Sequence, residues 1–219
     1  MDFFAVIAFL FLFYIRPQEW MSLVLDRPLV QYVMIIGLIS MLIKHKGLTF
    51  RDIMKTPHDW MILLFFIWVV WTAPLKGDAF AEMRNLVLFY LVIVQALLST
   101  DRLRKFLTWW TWLIFTVAAL ALAGEYGYDP MKSYDLTHGL SMQGRLCLNS
   151  SIFNNPNDLA HGVVPALAML YFLNVWNRPI FMKEVTVFLL LVPAYCILLT
   201  QSRGGYAAGG GSFMASMLF

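Results

Sequence analysis

Eight runs of apolar residues, set apart by polar stretches, constrain this chain more than any other feature. They cover Asp2–Ile15, Pro28–Ile43, Trp60–Leu75, Met83–Leu98, Phe106–Gly124, Asp158–Trp176, Val185–Thr200 and Gly204–Phe219. Hydrophobic residues make up 60% of the 219 positions and charged ones 13%, with a mean hydropathy of +0.70. A soluble domain of this length cannot bury so much apolar surface, so the expected solvent is the lipid bilayer. Backbone groups facing lipid must be satisfied within their own segment, which predicts helices rather than strands. The expectation is an all-α, polytopic membrane bundle of about eight transmembrane helices, a single integral domain over residues 1–219. Residues 1–123 would form the N-terminal helices, 124–157 an outward loop and 158–219 the remaining helices. Several runs fall short of the ~20 residues a perpendicular span needs, so they should extend into their polar flanks. Trp20, Trp60, Trp71, Trp109 and Trp176 lie near run ends, where interfacial belts form.

The N-terminus, MDFFAVIAFLFLFYIRP, has an acidic start and no small-residue cleavage site, so it reads as a retained first helix. Orientation follows from the loops. The second, fourth and sixth carry Lys44, Lys46, Arg51, Lys55, Arg102, Arg104, Lys105, Arg178 and Lys183, with four acids. The odd loops carry seven basic residues and eight acids. The clusters KHKGLTFRDIMK and DRLRK therefore read as cytoplasmic, with the N-terminus inside and the long fifth loop outside. A net charge of +3 gives no reason to expect a nucleic acid partner, and Cys147 and Cys196 match no metal or redox spacing.

The polar residues that this topology sends outward are concentrated in a few places. NSSIFNNPNDLAH, from Asn149 to His161, holds four asparagines, a proline, an aspartate and a histidine. Asn155-Pro156 should break any preceding helix, leaving Asn157 as N-cap and Asp158 in the first turn. That explains part of the stretch, but not Asn154 or the upstream Arg145. Further on, TQSRGG places Ser202 and Arg203 between two apolar runs. Hydroxyls, free backbone N–H groups and a guanidinium at a helix start suit a phosphate or pyrophosphate. Arg84, in GDAFAEMRNLVLFY, lies at the outward end of the fourth run. Three arginines on one membrane face would be costly without an anionic ligand. Gly205 and Gly209 form a GxxxG, a close helix-packing surface; RGGYAAGGG lacks the GK[ST] of a P-loop.

A rival constellation is a metal site. DLTHG and DLAHG each set a carboxylate and an imidazole three residues apart, so Asp135, His138, Asp158 and His161 are a conceivable ligand set. Chance and helix capping account for the pattern as well, and no metal or other cofactor is expected. No HExxH, CxxC or nucleophile elbow is present.

GRLCLNSSIFNNPNDLAHG followed by LLTQSRGGYAAG resembles the O-antigen ligase family, which includes polysaccharide polymerases and protein O-oligosaccharyltransferases. The likeness covers mainly residues 144 to 211. The short first helix followed by RP and Trp also resembles the exosortase-associated O-glycosylation ligase branch. The resemblance implies a GT-C-like, metal-independent glycosyltransferase in the bacterial inner membrane. Its donor would be a glycan on undecaprenyl pyrophosphate, and its acceptor lipid A-core, a glycan or a protein. Arg145 and Arg203 match the arginines expected to hold the pyrophosphate, Asn154 and Asn157 match the F-N-x-P-N box, and Arg84 matches by position. Family members continue through more helices and a periplasmic loop with an essential histidine. This chain stops inside an apolar run, at SFMASMLF, so the resemblance implies a sequence truncated at its C-terminus, with no catalytic residue assigned. The competing reading is a polytopic transporter or flippase for an anionic or lipid-linked substrate. It would be favoured by inverted repeats and broken helices at mid-membrane, which the sequence does not display.

Overall fold

The structure, a computed structural model, describes residues 2–25, 27–44, 56–72, 78–174 and 180–217. Among these residues there are ten helices and no strand. They are α1 (Asp2–Tyr14), α2 (Pro17–Trp20), α3 (Leu29–Lys44), α4 (Pro57–Thr72), α5 (Asp78–Ala96), α6 (Thr100–Glu125), α7 (Ser133–Thr137), α8 (Pro156–Asn174), α9 (Ile180–Thr200) and α10 (Arg203–Met217). Each of the eight apolar runs is a helix, and several begin earlier than apolar character alone suggests. α6 starts six residues before Phe106, where the Ser99 hydroxyl accepts the Arg102 N–H at 3.3 Å and caps the first turn. The expected helix residues 73–75, 175–176 and 218–219 lie outside the described residues, as do most of KHKGLTFRDIMK, Lys76 and Arg178.

Two segments are long and apolar enough to cross a membrane: Asp2–Trp20, with 19 residues, and Thr100–Glu125, with 26. Leu29–Ile43, Pro57–Thr72, Met83–Ala96 and Glu184–Thr200 are apolar but shorter. Large apolar side chains stand exposed along several helices, among them Phe4, Trp68, Trp71, Phe188 and Leu191.

The chain divides into two compact units. The first comprises Met1–Leu10 and Pro28–Arg104. In it α3 and α4 pack against α5. An added Cβ at Gly37 would lie 3.2 Å from Val92 and 3.4 Å from Ala5, so the bare glycine lets α3 sit close to both neighbours. Phe9 and Phe89 stack with ring centroids 4.0 Å apart. At the start of α4, Asp59 accepts hydrogen bonds from the Thr56 backbone N–H (2.6 Å) and hydroxyl (2.8 Å). This is one half of a capping box, with Pro57 preset at the first helical position. The other Asp59 oxygen accepts the Tyr90 hydroxyl of α5 at 2.6 Å, joining two helices through one buried carboxylate. Asp59→Ala removes both links. Its expected cost is about 1–3 kcal/mol, read as a lower unfolding midpoint in detergent; an unchanged midpoint would refute the assignment. Arg102 bonds Asp2 (3.2 Å) and the Ala96 carbonyl (3.1 Å), securing the approach to α6.

The second unit comprises Phe11–Arg27 and Lys105–Phe219, with α8 packed against α9 and α10. The 30 or so residues between α6 and α8 are not a solvated excursion. Leu146, Cys147 and Leu148 are almost fully buried, with the Leu146 N–H on the Leu199 carbonyl at 3.0 Å. Burial pushes the Cys147 thiol above its ordinary range, and the Thr137 hydroxyl beside it opposes that shift. Asn149, one of the four asparagines, is used up inside the loop. Its side-chain amide donates to the Met131 carbonyl at 2.8 Å, and its backbone N–H to Ser133 at 3.0 Å. Glu19, just past α1, accepts the Ser151 N–H and hydroxyl at 2.9 and 2.8 Å. Phe153 packs between Tyr14 and Gly162, where an added Cβ would meet the ring at 2.6 Å.

Candidate functional site

The starts of α8 and α10 meet. A Cβ on Gly204 would lie 2.8 Å from the His161 ring, and one on Gly205 2.7 Å from the Ala160 Cβ. The contact at Gly205 requires glycine, because the Ala160 Cβ cannot turn aside, whereas the exposed His161 ring at Gly204 can swing away. How α8 begins differs from the expectation. The helix starts at Pro156, not Asp158, and Asn155 rather than Asn157 caps it, its Oδ1 accepting the Asn157 N–H at 2.8 Å. The reason is proline: Pro156 has no N–H to satisfy and a preset φ, so it fills the first helical position and shifts the cap two residues upstream. Asn157 is thereby freed. Its side-chain oxygen accepts an Arg145 N–H at 2.9 Å, while the Arg145 Nε–H bonds the Thr200 carbonyl at 3.1 Å.

Arg145 thus ties the loop to the end of α9 and the start of α8. A guanidinium has five N–H groups, so three remain after these two bonds. The turn from α9 to α10 runs through Gln201 in the left-handed region (φ 50) to Ser202. The Ser202 hydroxyl accepts the Gly205 N–H at 3.1 Å, making Ser202 the buried N-cap of α10. The N–H groups of Arg203 and Gly204, at the first two helical positions, have no partner within the helix. Arg203 is exposed and makes no hydrogen bond or ion pair among the described residues. A cation at a helix N-terminus opposes the dipole, and a bound anion would relieve that conflict.

Of the predicted site residues, Arg145, Asn157, Ser202 and Arg203 are gathered around these two helix starts. Asn154 is exposed, without a hydrogen bond among the described residues. Arg84 belongs to α5 in the first unit, where it is exposed with Asn85 Oδ1 3.5 Å away. The metal set is not assembled. His138 stacks on Tyr134 and lies 3.6 Å from Glu125, whereas His161 lies on Gly204. Among the described residues no group of three or more His, Cys, Asp or Glu side chains is placed to hold a metal.

His161 entered the sequence reading only as a candidate metal ligand, not as a neighbour of Gly204. It is four residues from Asn157, hence on the same face of α8, but only the packing of α10 shows that this face meets Gly204. Each helix N-terminus contributes roughly half a positive charge. Arg145 and Arg203 add two full charges, and Asp158 in the first turn of α8 offsets part of them. The arrangement is therefore suited to an anion. Compared with protein-family models, curated proteins and solved structures, the chain matches none of them.

Proposed function

We propose that the chain is a multi-pass protein of the bacterial inner membrane with a cytoplasmic N-terminus. On this reading it is a GT-C-like glycosyltransferase that moves a glycan from undecaprenyl pyrophosphate to an acceptor hydroxyl at the periplasmic face. The observation that carries the reading is the placement of Arg145, Asn157 and Arg203 at the starts of two helices that meet. The apolar side chains exposed along α1, α4 and α9 support a lipid surround.

The chemistry asks little covalent work of the protein. Pyrophosphate is a good leaving group, and the negative charge that develops on it would be met by Arg203, the free N–H groups of α10 and the unused N–H groups of Arg145. Fixing those donors before reaction is the protein's contribution. Asn157 and the Thr200 carbonyl supply it for Arg145, since two acceptors at right positions hold a planar guanidinium in one orientation. His161, whose ring lies against Gly204, is a group able to accept the acceptor's proton.

The test is transfer of a labelled glycan from the lipid pyrophosphate in membranes containing the protein. Arg203→Ala should lower transfer about 100-fold or more, with membrane levels unchanged, by comparison with the loss of one oxyanion donor. Full transfer in that variant would overturn the reading. Excess EDTA should leave the rate unchanged. Movement of the lipid-linked substrate across vesicles in the absence of any acceptor would favour the transporter reading instead.

A further inference from the structure

Where α2 meets the loop before α8, two polar atoms are buried with no partner among the described residues: Gln18 Oε1 and the Ser150 hydroxyl. The α2 half of this contact is fixed independently of the loop. The Gln18 side-chain amide donates to the Leu12 carbonyl at 3.4 Å and the Trp20 indole N–H to the Ile15 carbonyl at 2.9 Å. Carbonyls at the end of α1 have no helical donor, so they anchor α2 in place. Arg16 pairs with the Glu19 carboxylate.

The loop half is a small turn closed on itself. The Ser150 N–H bonds the Leu148 carbonyl at 2.7 Å, the Phe153 N–H the Ser150 carbonyl at 3.1 Å, and the Leu148 N–H the Phe153 carbonyl at 2.9 Å. This turn is held to α2 by the two bonds from Ser151 to Glu19, and Ser151 is exposed, so water competes for both. Its other hold is the Phe153 ring, seated between Tyr14 and Gly162.

Ser150 is only 4% exposed, and its hydroxyl makes no bond. A buried polar group without a partner raises the free energy of the state that buries it, and hydration removes that cost once the state opens. Opening strands no charge, because Glu19 keeps Arg16 and Ser151 gains water. The closed contact is thus two solvent-accessible bonds set against an unsatisfied hydroxyl, a balance suited to local opening. The consequences reach the polar cluster through a few residues of chain. Lifting Phe153 bares Gly162 on α8, while Asn155 caps that helix and Asn157 holds Arg145.

We propose that residues 150–154 form a lid latched by Glu19, and that its opening admits the ligand to the two helix starts. The proposal rests on reading those helix starts as an anion site, and it adds how the site is reached.

The experiment follows amide hydrogen exchange of the full chain in nanodiscs, in a peptide spanning 148–153. Glu19→Ala should speed exchange there about tenfold. Ser150→Ala should slow it about tenfold, because it deletes the unsatisfied hydroxyl from the closed state without removing any bond. A merely structural tie predicts the first effect and not the second. The buried stretch of α6 around Val117 and Ala118 should exchange as in wild type in both variants. If Glu19→Ala loosens α6 too, Glu19→Gln takes its place, since it keeps an acceptor for Ser151 while losing the charge. Unchanged exchange in the Glu19 variant overturns the latch, and unchanged or faster exchange in Ser150→Ala overturns the poised lid. Ser150→Ala should also lower glycan transfer about fivefold at an unfolding midpoint equal to wild type or higher, as expected when opening limits turnover. Slowed exchange with full transfer overturns the gating role. A wild-type chain that transfers no glycan would sink the transferase reading, while the exchange measurements still decide the lid.

Discussion

Arg145→Ala is expected to lower glycan transfer by about 100- to 1,000-fold and to destabilise the second unit as well. Both effects follow from one side chain with two duties. Its Nε–H satisfies the Thr200 carbonyl at the end of α9, and its second bond holds the Asn157 side chain on α8. Losing these bonds should cost about 1–3 kcal/mol of stability, because the Thr200 carbonyl is left without that partner. The two duties separate in other variants. Arg145→Lys keeps the charge, but an ammonium on a flexible stem cannot reproduce the fork to Thr200 and Asn157. Transfer in the lysine variant should therefore stay well below wild type. Asn157→Ala leaves the guanidinium and its charge while removing one of its two anchors, so transfer should fall less than in Arg145→Ala. If Asn157→Ala lowers transfer as much as Arg145→Ala while the unfolding midpoints track the losses, Arg145 is a structural tie and not an anion ligand.

Gly205→Val should be the most damaging single change to the packing of the second unit. A Cβ there lies 2.7 Å from the Ala160 Cβ and 3.2 Å from the Ser202 Cβ, and neither neighbour is the mobile end of a long side chain. The first turns of α8 and α10 must move apart, at an expected cost of about 1–3 kcal/mol or more. The shift also displaces the Ser202 cap and, with it, the free N–H groups of α10. Thermal unfolding in detergent measures the cost. Ala160→Gly removes the opposing methyl and should recover part of the midpoint in Gly205→Ala; no recovery would mean that this contact does not set the helix separation. The same change cannot rescue the valine variant fully, since its methyls reach beyond Ala160.

How much of this was legible before the fold can be seen residue by residue. The eight helices follow from apolar runs bounded by polar punctuation, since a run of that kind has no other way to satisfy its backbone in an apolar setting. The GxxxG reading holds at Gly205, which touches Ala160, and less so at Gly209, which has room to spare. Arg145 and Arg203 stand out because a guanidinium beside glycine and hydroxyl residues is unusual in such a chain. The cap of α8 was misplaced by two residues, because the spacing rule for caps was applied without the preference of proline for the first helical position. Two short helices, α2 and α7, escaped notice. Four or five residues have no period to read, and their N-terminal flanks, Arg16 and Lys132, take left-handed φ values that no local pattern announces.

The sequence by itself determined the helical class of the structure, the approximate limits of its eight longer helices among the described residues, and which polar residues needed an explanation. These are local or summed properties: hydrophobicity, the lack of an N–H on proline, the reach of a cap. Only the tertiary structure decided which explanation each residue receives. Asn149 satisfies the loop, Asn155 caps α8, and Asn157 holds Arg145, although all three are the same amide within nine positions. His161 meets Gly204 because α10 folds back onto α8. Such pairings join residues some 40 to 55 positions apart, and they are set by how helix surfaces fit, which no spacing along the chain encodes.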